Sequence, residues 1–249
     1  MNCISDCPED ALNYGLAKSE SSIHKPLDVS RRRLIETAAA SFVLYPMLKS
    51  SITGESAAQA SVIRPPGSLP EPDFLSRCIK CALCMRVCPT NVLQPGLLEA
   101  GLEGLWSPIL VNKIGYCEHH CTLCGQVCPT GAIETVTVKQ KVGTPTLEPI
   151  KLGTAFFDRG RCLPWAMNVE CIVCEEVCPT SPKAIWFDKL EFKNRDGSKK
   201  TLKLPMLEPK LCIGCGICEN KCPVRGEAAI RVSSVGESRS KTNRMLLKK

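Results

Sequence analysis

The run Cys78-Ile79-Lys80-Cys81-Ala82-Leu83-Cys84-Met85-Arg86-Val87-Cys88-Pro89 sets the pattern for most of this chain. Its cysteines are separated by two, two and three residues, and a proline follows the last one. The ending C-x2-C-x3-C-P recurs in three further groups, so that sixteen of the 18 cysteines form four groups of four. The groups are Cys78, Cys81, Cys84 and Cys88; Cys117, Cys121, Cys124 and Cys128; Cys162, Cys171, Cys174 and Cys178; and Cys212, Cys215, Cys218 and Cys222.

This spacing has a chemical reason. The first and fourth groups match the bacterial run of ligands for [4Fe–4S] clusters, in which one tight turn presents successive thiolates to neighbouring irons. The following proline has no N–H and a fixed φ, so it directs the chain away from the cluster. Disulfides would not require the same spacing four times, and zinc sites separate their C-x2-C pairs by a longer loop. We therefore expect four [4Fe–4S] clusters, with all sixteen cysteines bound to cluster iron.

Two groups depart from the common spacing. The second has one extra residue before Cys121, and the third has six extra residues between Cys162 and Cys171. We interpret the longer segment as a lengthened surface loop, with Cys162 still a ligand; the alternative is a docking loop or a cluster of altered potential. An apolar residue precedes each third cysteine, and we expect these four to shield the clusters from water: Leu83, Leu123, Val173 and Ile217.

The groups form an internal repeat, which predicts an α+β fold of two tandem bacterial ferredoxin-like modules with two clusters each, short hairpins and an extended N-terminal leader. The dipeptide Ala-Ile follows the last three groups and starts β-like runs, one of them over 133–138. Residues 194–197, Asn-Arg-Asp-Gly, predict a hairpin turn between two strands. Residues 97–105 have leucines at helical spacing and predict a short helix.

The pairing of the groups stays open from sequence. In two-cluster ferredoxins, the fourth cysteine of one group binds the cluster of the other group. Sequential pairing would join the first group with the second and the third with the fourth. Nested pairing would join the first with the fourth and the second with the third, as in the iron–sulfur subunits of molybdopterin oxidoreductases, whose four-group layout this chain resembles.

The residues before Cys78 predict export. Ser30-Arg31-Arg32-Arg33-Leu34-Ile35 resembles the twin-arginine signal and is followed by an apolar run and the A-x-A site Ala58-Gln59-Ala60. Residues 30–60 are thus expected to be a signal or membrane-proximal segment, and 61–77 a proline-rich leader. Within 1–29, Cys3 and Cys7-Pro8 match the end of a ferredoxin group, which suggests the remnant of a fusion to a NapH-like membrane quinol dehydrogenase; a mis-assigned start is the alternative.

The export signal, the proline-rich leader, Arg77-Cys78-Ile79-Lys80-Cys81, Gly115-Tyr116-Cys117, the long third group and the run from Cys212 to Cys218 together resemble the NapG/MauM family. Those proteins are exported polyferredoxins with four [4Fe–4S] clusters. The resemblance covers about residues 30–235. It implies a periplasmic electron carrier, exported folded, that acts between a NapH-like quinol dehydrogenase and an exported redox enzyme or cytochrome.

Composition excludes other classes of function. The net charge is +7, but aromatic residues are only 5% of the chain and do not alternate with basic ones, so nucleic-acid binding is not expected. The four-cluster region is assigned to 78–235. Residues 236–249 form a basic tail that we expect to be solvated, or to contact anionic lipid in a peripheral membrane association. No nucleophile–base set is apparent, so we expect an electron carrier without its own catalytic site; the alternative is a tightly held iron–sulfur subunit of a larger oxidoreductase.

Histidines supply no catalytic set either. The chain has three, of which His119 and His120 lie inside the second cysteine group. We interpret both as exposed loop residues; in the alternative, one of them orders a cluster through an N–H to sulfur bond.

Overall fold

The computed structural model describes residues 36, 38–41, 62–193, 199–240 and 242–244. The chain divides into two compact units, Met1–Leu48 and Lys49–Lys249. In the first unit, residue 36 and residues 38–41 are helical. The twin-arginine sequence, the A-x-A site and the Cys3 and Cys7 pair lie outside the described residues, so the predictions made on them stay predictions. Within these ranges, no helix has the length and apolar character needed to cross a membrane.

In its described residues, the second unit contains short helices and three separate two-stranded antiparallel sheets, which confirms the α+β class. Short elements are expected here because each cysteine group needs a tight turn rather than a long regular segment. In chain order the elements are α1 (Glu71–Arg77), α2 (Leu83–Val87), β1 (Leu93–Pro95), β2 (Pro108–Leu110), α3 (Leu123–Gln126), α4 (Val138–Val142), β3 (Thr154–Phe157), α5 (Leu163–Met167), α6 (Val173–Glu176), β4 (Ile185–Lys193), β5 (Lys199–Leu207), α7 (Ile217–Asn220) and β6 (Ile230–Ser233).

Two cysteine groups are joined in each half of the unit. The segment before the first group of the half pairs with the segment after its second group. Strand β3, before the third group, pairs with β6, after the fourth, in the register Thr154 to Ser233 and Phe157 to Ile230. In the first half of the unit, Ser68 forms an equivalent antiparallel bridge with Ile133. The backbone N–H of Glu134 donates to the carbonyl of Gly67 at 2.8 Å beside that bridge. These pairings bring the first group to the second and the third group to the fourth.

Each half has its own buried core that includes cysteines. The first core contains Phe74, Val92 and Ile133 together with cysteines of the first two groups. The second contains Ala184, Ile185 and Ile230 together with cysteines of the last two groups. The cores are small and low in aromatic side chains. The thiol groups therefore occupy interior positions that large side chains fill in an ordinary domain.

Two expectations about local secondary structure are wrong. Residues 97–105 form a series of turns rather than a helix, because Gly101 adopts φ +72° and the hydrogen bonds span three residues, as from Gly101 N–H to the Leu98 carbonyl. Residues 133–138 form only the single bridge at Ile133. The chain then turns into α4, which Thr137 begins by accepting a hydrogen bond from the Gln140 backbone N–H while the Gln140 side chain accepts one from the Thr137 N–H.

The strands expected on either side of residues 194–197 are confirmed. Strands β4 and β5 pair antiparallel along nine residues each, from Ile185 opposite Leu207 to Lys193 opposite Lys199. The turn itself lies outside the described residues. Strands begin at the other two Ala-Ile dipeptides as expected, β4 at Ile185 and β6 at Ile230.

Part of the basic tail is packed rather than solvated. Arg239 has a side chain only 10% exposed and pairs with Glu71 at 2.5 Å and with Glu237 at 2.7 Å. Glu71 also pairs with Arg64, a fully buried side chain whose guanidinium lies 4.6 Å from the ring centroid of Phe74. The expectation of a solvated tail is therefore wrong at Arg239, because this residue completes a buried network of charges that joins the C-terminal segment to the start of α1.

Candidate metal centres

The structure brings the sixteen predicted ligands together in four sets of four. In each set, three cysteines come from one group and the fourth comes from the neighbouring group. We number the sets by the group that supplies three members: site 1 is Cys78, Cys81, Cys84 and Cys128; site 2 is Cys117, Cys121, Cys124 and Cys88; site 3 is Cys162, Cys171, Cys174 and Cys222; site 4 is Cys212, Cys215, Cys218 and Cys178.

Three of these sets surround a cavity each. The four thiols of site 2 line a space of about 350 Å³, those of site 3 line about 350 Å³, and those of site 4 line about 340 Å³, in each case including space open to solvent. The remaining walls are mostly apolar, for example Val92, Leu93 and Leu110 at site 2. Such walls lower the local dielectric and limit the access of water, and both influence the potential of a bound cluster.

At site 1 the convergence is visible in the thiols themselves. Burial raises the pKa of Cys84 to about 11, and the nearby thiols of Cys78, Cys81 and Cys128 add to the rise. The same pattern holds elsewhere: burial followed by neighbouring thiols raises the pKa of Cys124, Cys174 and Cys215 to about 12. Four thiols cannot all ionise at such short range without a positive partner, and the iron of a bound cluster would supply that charge.

The donor set fits a cluster better than a disulfide or one metal ion. Every one of the sixteen cysteines is free of disulfide bonds. Across the described ranges, no three His, Cys, Asp or Glu side chains come close enough together to hold a single ion. The four thiols of a site instead surround a space, as ligands of the four irons in a cubic cluster must. These residues therefore fit a [4Fe–4S] cluster.

The chain shapes each turn in the same way around its third cysteine. That cysteine is always the second residue of a short helix: Cys84 in α2, Cys124 in α3, Cys174 in α6 and Cys218 in α7. The apolar residue before it begins the helix. Leu83 is 41% exposed and Leu123 is 37% exposed, so the expected shielding of the clusters by these two leucines is only partial.

The first and fourth groups share a backbone conformation that the other two groups lack. Lys80 and Ala82 adopt φ +57° and +61°, and their counterparts Gly214 and Gly216 adopt φ +71° and +80°. The left-handed conformation is costly for residues with a Cβ atom, and such strain concentrates at ligand-binding turns. The second and third groups, which contain inserted residues, have no left-handed residue at the two corresponding positions.

Backbone N–H groups point at several ligand sulfurs. The N–H of Ile133 donates to Cys128 Sγ at 3.4 Å, and the N–H of Ala229 donates to Cys222 Sγ at 3.4 Å. Both of these cysteines are the exchanged fourth ligands of their sites. Such bonds stabilise negative charge on sulfur, so they favour the reduced form of a bound cluster.

The inserted segment of the third group is an anchored helix. It forms α5, in which Pro164 is fully buried. The Trp165 indole N–H donates to the carbonyl of Pro205 at 3.3 Å, and the Arg159 guanidinium lies 4.2 Å from the Trp165 ring centroid. The lengthened segment lies at the surface as expected, with residues 166–170 exposed, but it begins as a helix fixed against β5 rather than as a loop. Cys162 nevertheless lines the site 3 cavity as expected.

Two residues near site 2 were missed or misjudged from the sequence. His119 is 7% exposed rather than an exposed loop residue, and its Nδ1 atom has no hydrogen-bond partner among the described residues. Burial lowers the pKa of His119, and the charges of His120 and Lys141 lower it further. Lys141 is 3% exposed and lies against Cys117. The sequence gives no sign that a lysine on this short helix is buried beside a cysteine. It indicates only where the helix begins, through the cap formed by Thr137 and Gln140.

The two halves of the unit meet at sites 2 and 4. The backbone N–H of Cys117 donates to the carbonyl of Cys215 at 2.8 Å. Beside it, Asn112 donates to the Glu219 carboxylate at 3.3 Å, and the Asn220 side chain donates to the Asn112 carbonyl at 3.2 Å. A ligand of site 2 and a ligand of site 4 are thus in direct backbone contact.

Comparison with known proteins agrees with this chemistry. A family model described as "4Fe-4S binding domain" matches residues 74–94 and 205–225, which include the first and fourth cysteine groups. The methylamine utilization ferredoxin-type protein MauM of Methylorubrum extorquens is 34% identical over 214 residues, covering 84% of this chain and 90% of the relative.

Other relatives have similar names. MauM of Paracoccus denitrificans is 34% identical over 187 residues, which cover 74% of this chain and 77% of the relative. The ferredoxin-type protein NapG of Escherichia coli is 32% identical over 172 residues, which cover 68% of this chain and 69% of the relative. With its repeated [4Fe–4S] motifs, the chain belongs to the MauM and NapG family of ferredoxin-type iron–sulfur proteins, which transfer electrons.

Proposed function

We propose that this protein relays electrons through four [4Fe–4S] clusters, one in each of sites 1 to 4, arranged as two tandem two-cluster ferredoxin modules. The observation that carries the proposal is the convergence of sixteen thiols into four sets, each completed by a cysteine from the neighbouring group. The clusters supply the one-electron chemistry. The chain supplies the ligands, the hydrogen bonds to sulfur and the exclusion of water.

The contacts between sites suggest an order for the relay. Sites 1 and 2 share the exchanged cysteines Cys88 and Cys128, and sites 3 and 4 share Cys178 and Cys222. Sites 2 and 4 are in contact through the backbone hydrogen bond that the N–H of Cys117 donates to the carbonyl of Cys215. The order is therefore site 1, site 2, site 4 and site 3, with sites 1 and 3 as the two ends at which partners exchange electrons.

We assign the two ends to a membrane quinol dehydrogenase of the NapH type and to an exported redox enzyme or cytochrome. The protein would act at the periplasmic face of the cytoplasmic membrane, peripherally attached and exported folded. The twin-arginine sequence at Ser30–Ile35 supports this location, since folded export allows a cluster to be inserted before transport. The MauM relatives are named as methylamine utilization ferredoxin-type proteins, which supports a role in a system that utilizes a substrate.

Iron analysis and spectroscopy test the cluster assignment. Protein purified anaerobically should contain about 16 irons per chain and show the EPR signals of reduced, interacting [4Fe–4S] clusters. Fewer than about twelve irons in fully folded protein would contradict four such clusters. Four variants, C81S, C121S, C171S and C215S, each remove a ligand from a different site, and each should remove or convert a single cluster.

Affinity capture of the native protein from membranes tests the partners. Recovery of a membrane quinol dehydrogenase, together with reduction of the clusters by quinol in those membranes, is the expected result. A catalytic subunit recovered at fixed stoichiometry, with no carrier released, would instead indicate an iron–sulfur subunit of a larger oxidoreductase.

A further inference from the structure

Lys141 is a buried cation next to a predicted cluster ligand. It lies on α4, between the second and third cysteine groups, and is 3% exposed. The cap formed by Thr137 and Gln140 fixes the start of this helix, and Gly143 ends it with φ +85°. The position of Lys141 is thus determined by a short helix whose two ends are both defined.

The ammonium group has three acceptors. Lys141 Nζ donates to Cys117 Sγ at 3.2 Å, to the Glu118 carbonyl at 2.5 Å and to the Cys121 carbonyl at 2.6 Å. A protonated lysine has three N–H donors and no acceptor, so this geometry satisfies the charged form in full. All three acceptors belong to the turn that supplies three ligands of site 2.

No carboxylate balances this charge in the described part of the chain. The ion pairs there involve Arg64, Lys183, Arg231 and Arg239 as cations, and Lys141 is not among them. An isolated buried ammonium is costly in free energy, so it calls for a negative neighbour. Thiolates around a cluster at site 2 provide one. This step rests on the proposed binding of a cluster at that site.

The other three sites lack an equivalent contact among the described residues. The ligand sulfurs that receive hydrogen bonds there receive them from backbone N–H groups or from threonine hydroxyls, as at Cys128, Cys178, Cys212 and Cys222. Lys151, which lies near Cys212, instead donates to the carbonyls of Pro209 and Lys210. Site 2 is therefore distinguished by a full positive charge in contact with a ligand.

We infer that Lys141 is a positioning residue that raises the reduction potential of the cluster at site 2, so that this internal cluster is the first of the four to be reduced. Reduction adds negative charge beside a fixed positive charge in a region shielded from water, where the attraction is strong. Because Cys117 also contacts Cys215, the electron is held at the junction of the two modules, between the ends where partners bind.

Spectroelectrochemical titration, with EPR at set potentials, tests this inference on the cluster-loaded protein. In K141M and K141Q, the reduction step of highest potential should move to lower potential. The equilibrium constant for that step should fall at least tenfold, which is about 59 mV for a one-electron couple. The matched control is K139M, two residues away on the same helix and exposed, where every step should stay in place.

The outcomes are separable from those of the proposed function. Iron content near that of the unmodified protein, with the highest step lowered in both neutral variants and unchanged in K139M, supports the inference. An unchanged highest step in a fully loaded K141M overturns it. Loss of the site 2 cluster from both K141M and K141Q, with K139M fully loaded, also overturns it, because Lys141 would then serve cluster assembly rather than potential. Low iron in the unmodified protein would contradict the proposed function instead.

Discussion

The backbone N–H of Cys117 donates to the carbonyl of Cys215 at 2.8 Å, which ties a ligand turn of site 2 to a ligand turn of site 4. The tight approach depends on Gly216, which follows Cys215 and adopts φ +80°. A Cβ atom at Gly216 would lie 2.2 Å from Oδ1 of Asn112, the buried residue that bonds to Glu219 across this junction. The junction thus requires a residue without a side chain at position 216.

Replacing Gly216 with alanine should weaken the junction. The variant G216A is expected to lose about 2 kcal/mol or more, from the left-handed backbone and from displacement of Asn112. The measurement is the melting temperature of anaerobic, cluster-loaded protein. The control is G131A, where φ is +66° but a new Cβ atom would meet no other atom within 4 Å, so that only the backbone cost of about 1 kcal/mol applies. Equal losses in the two variants would show that the contact with Asn112 is unimportant.

The exchange of ligands within each half predicts which cysteines act on the same cluster. Cys222 lines the same cavity as Cys162, so C222S and C162S should alter the same EPR signal and leave the other signals intact. The comparison is a set of reduced EPR spectra that includes C78S. Nested pairing predicts a different result, with C222S affecting the signal that is lost in C78S.

The sequence predicted which cysteines act as ligands, but it did not predict which cysteine groups pair with each other. The sixteen cysteines could be assigned from spacing alone, because a tight turn around iron imposes that spacing. The pairing of groups could not, since it depends on long-range contacts such as Ser68 with Ile133, which leave no local pattern. Residues 97–105 show the converse error: the leucines have helical spacing, but glycines at 96, 101 and 104 favour turns over a helix at the surface.

Charged residues inside the fold were also beyond the reach of the sequence. The sequence around Lys141 and Arg64 gives no sign that either cation is buried, yet they are 3% and 1% exposed. Their burial depends on acceptors supplied by distant segments, for example the Pro108 carbonyl, to which Arg64 donates at 2.8 Å. Periodicity reports apolar faces and carries no signal for a buried cation with distant partners.

The hydroxyl of Thr180 is expected to raise the reduction potential of the cluster at site 4. Its oxygen accepts the Ala184 N–H at 2.9 Å and lies 3.3 Å from Cys178 Sγ, so its proton is free to point at the sulfur. The variant T180V, which copies the valine found at 224 after the fourth group, should lower one cluster potential. One hydrogen bond of about 0.5–1.5 kcal/mol corresponds to about 20–65 mV. Potentiometric EPR titration provides the measurement.

The control for this prediction is T90V. Thr90 lies 3.6 Å from Cys88 Sγ, but its hydroxyl donates to the Tyr116 carbonyl at 2.5 Å. A hydroxyl has one proton, so Thr90 cannot donate to the sulfur as well. A smaller shift in T90V than in T180V is the expected result. Equal shifts would mean that the change in polarity near sulfur matters more than the hydrogen bond.

The buried network around Glu71 predicts how stability changes with pH. Burial alone would raise the pKa of Glu71, but hydrogen bonds and charges from Arg64 and Arg239 outweigh it and hold the pKa below its usual value of 4.5. The ionised carboxylate therefore stabilises the fold above pH 4.5, and this contribution is lost as the pH falls below 4.5 through the lowered pKa. Burial raises the pKa of Glu237, which also pairs with Arg239, so this residue has the opposite effect on stability as the pH falls. The wild type is therefore best compared with a variant that retains Glu237.

The variant E71Q leaves the fully buried Arg64 without its carboxylate, so it should cost about 3 kcal/mol at pH 7. Because the glutamine does not titrate, the melting temperature of E71Q should fall less steeply between pH 5 and pH 3.5 than that of the wild type, and the two curves should converge at the acid end. Melting temperatures at a fixed scan rate, taken on protein of equal iron content, provide the comparison. The exposed Glu134 offers a matched control, since E134Q removes a carboxylate without such a network and should follow the wild-type curve. Parallel wild-type and E71Q curves over this pH range would contradict the assignment of acid sensitivity to Glu71.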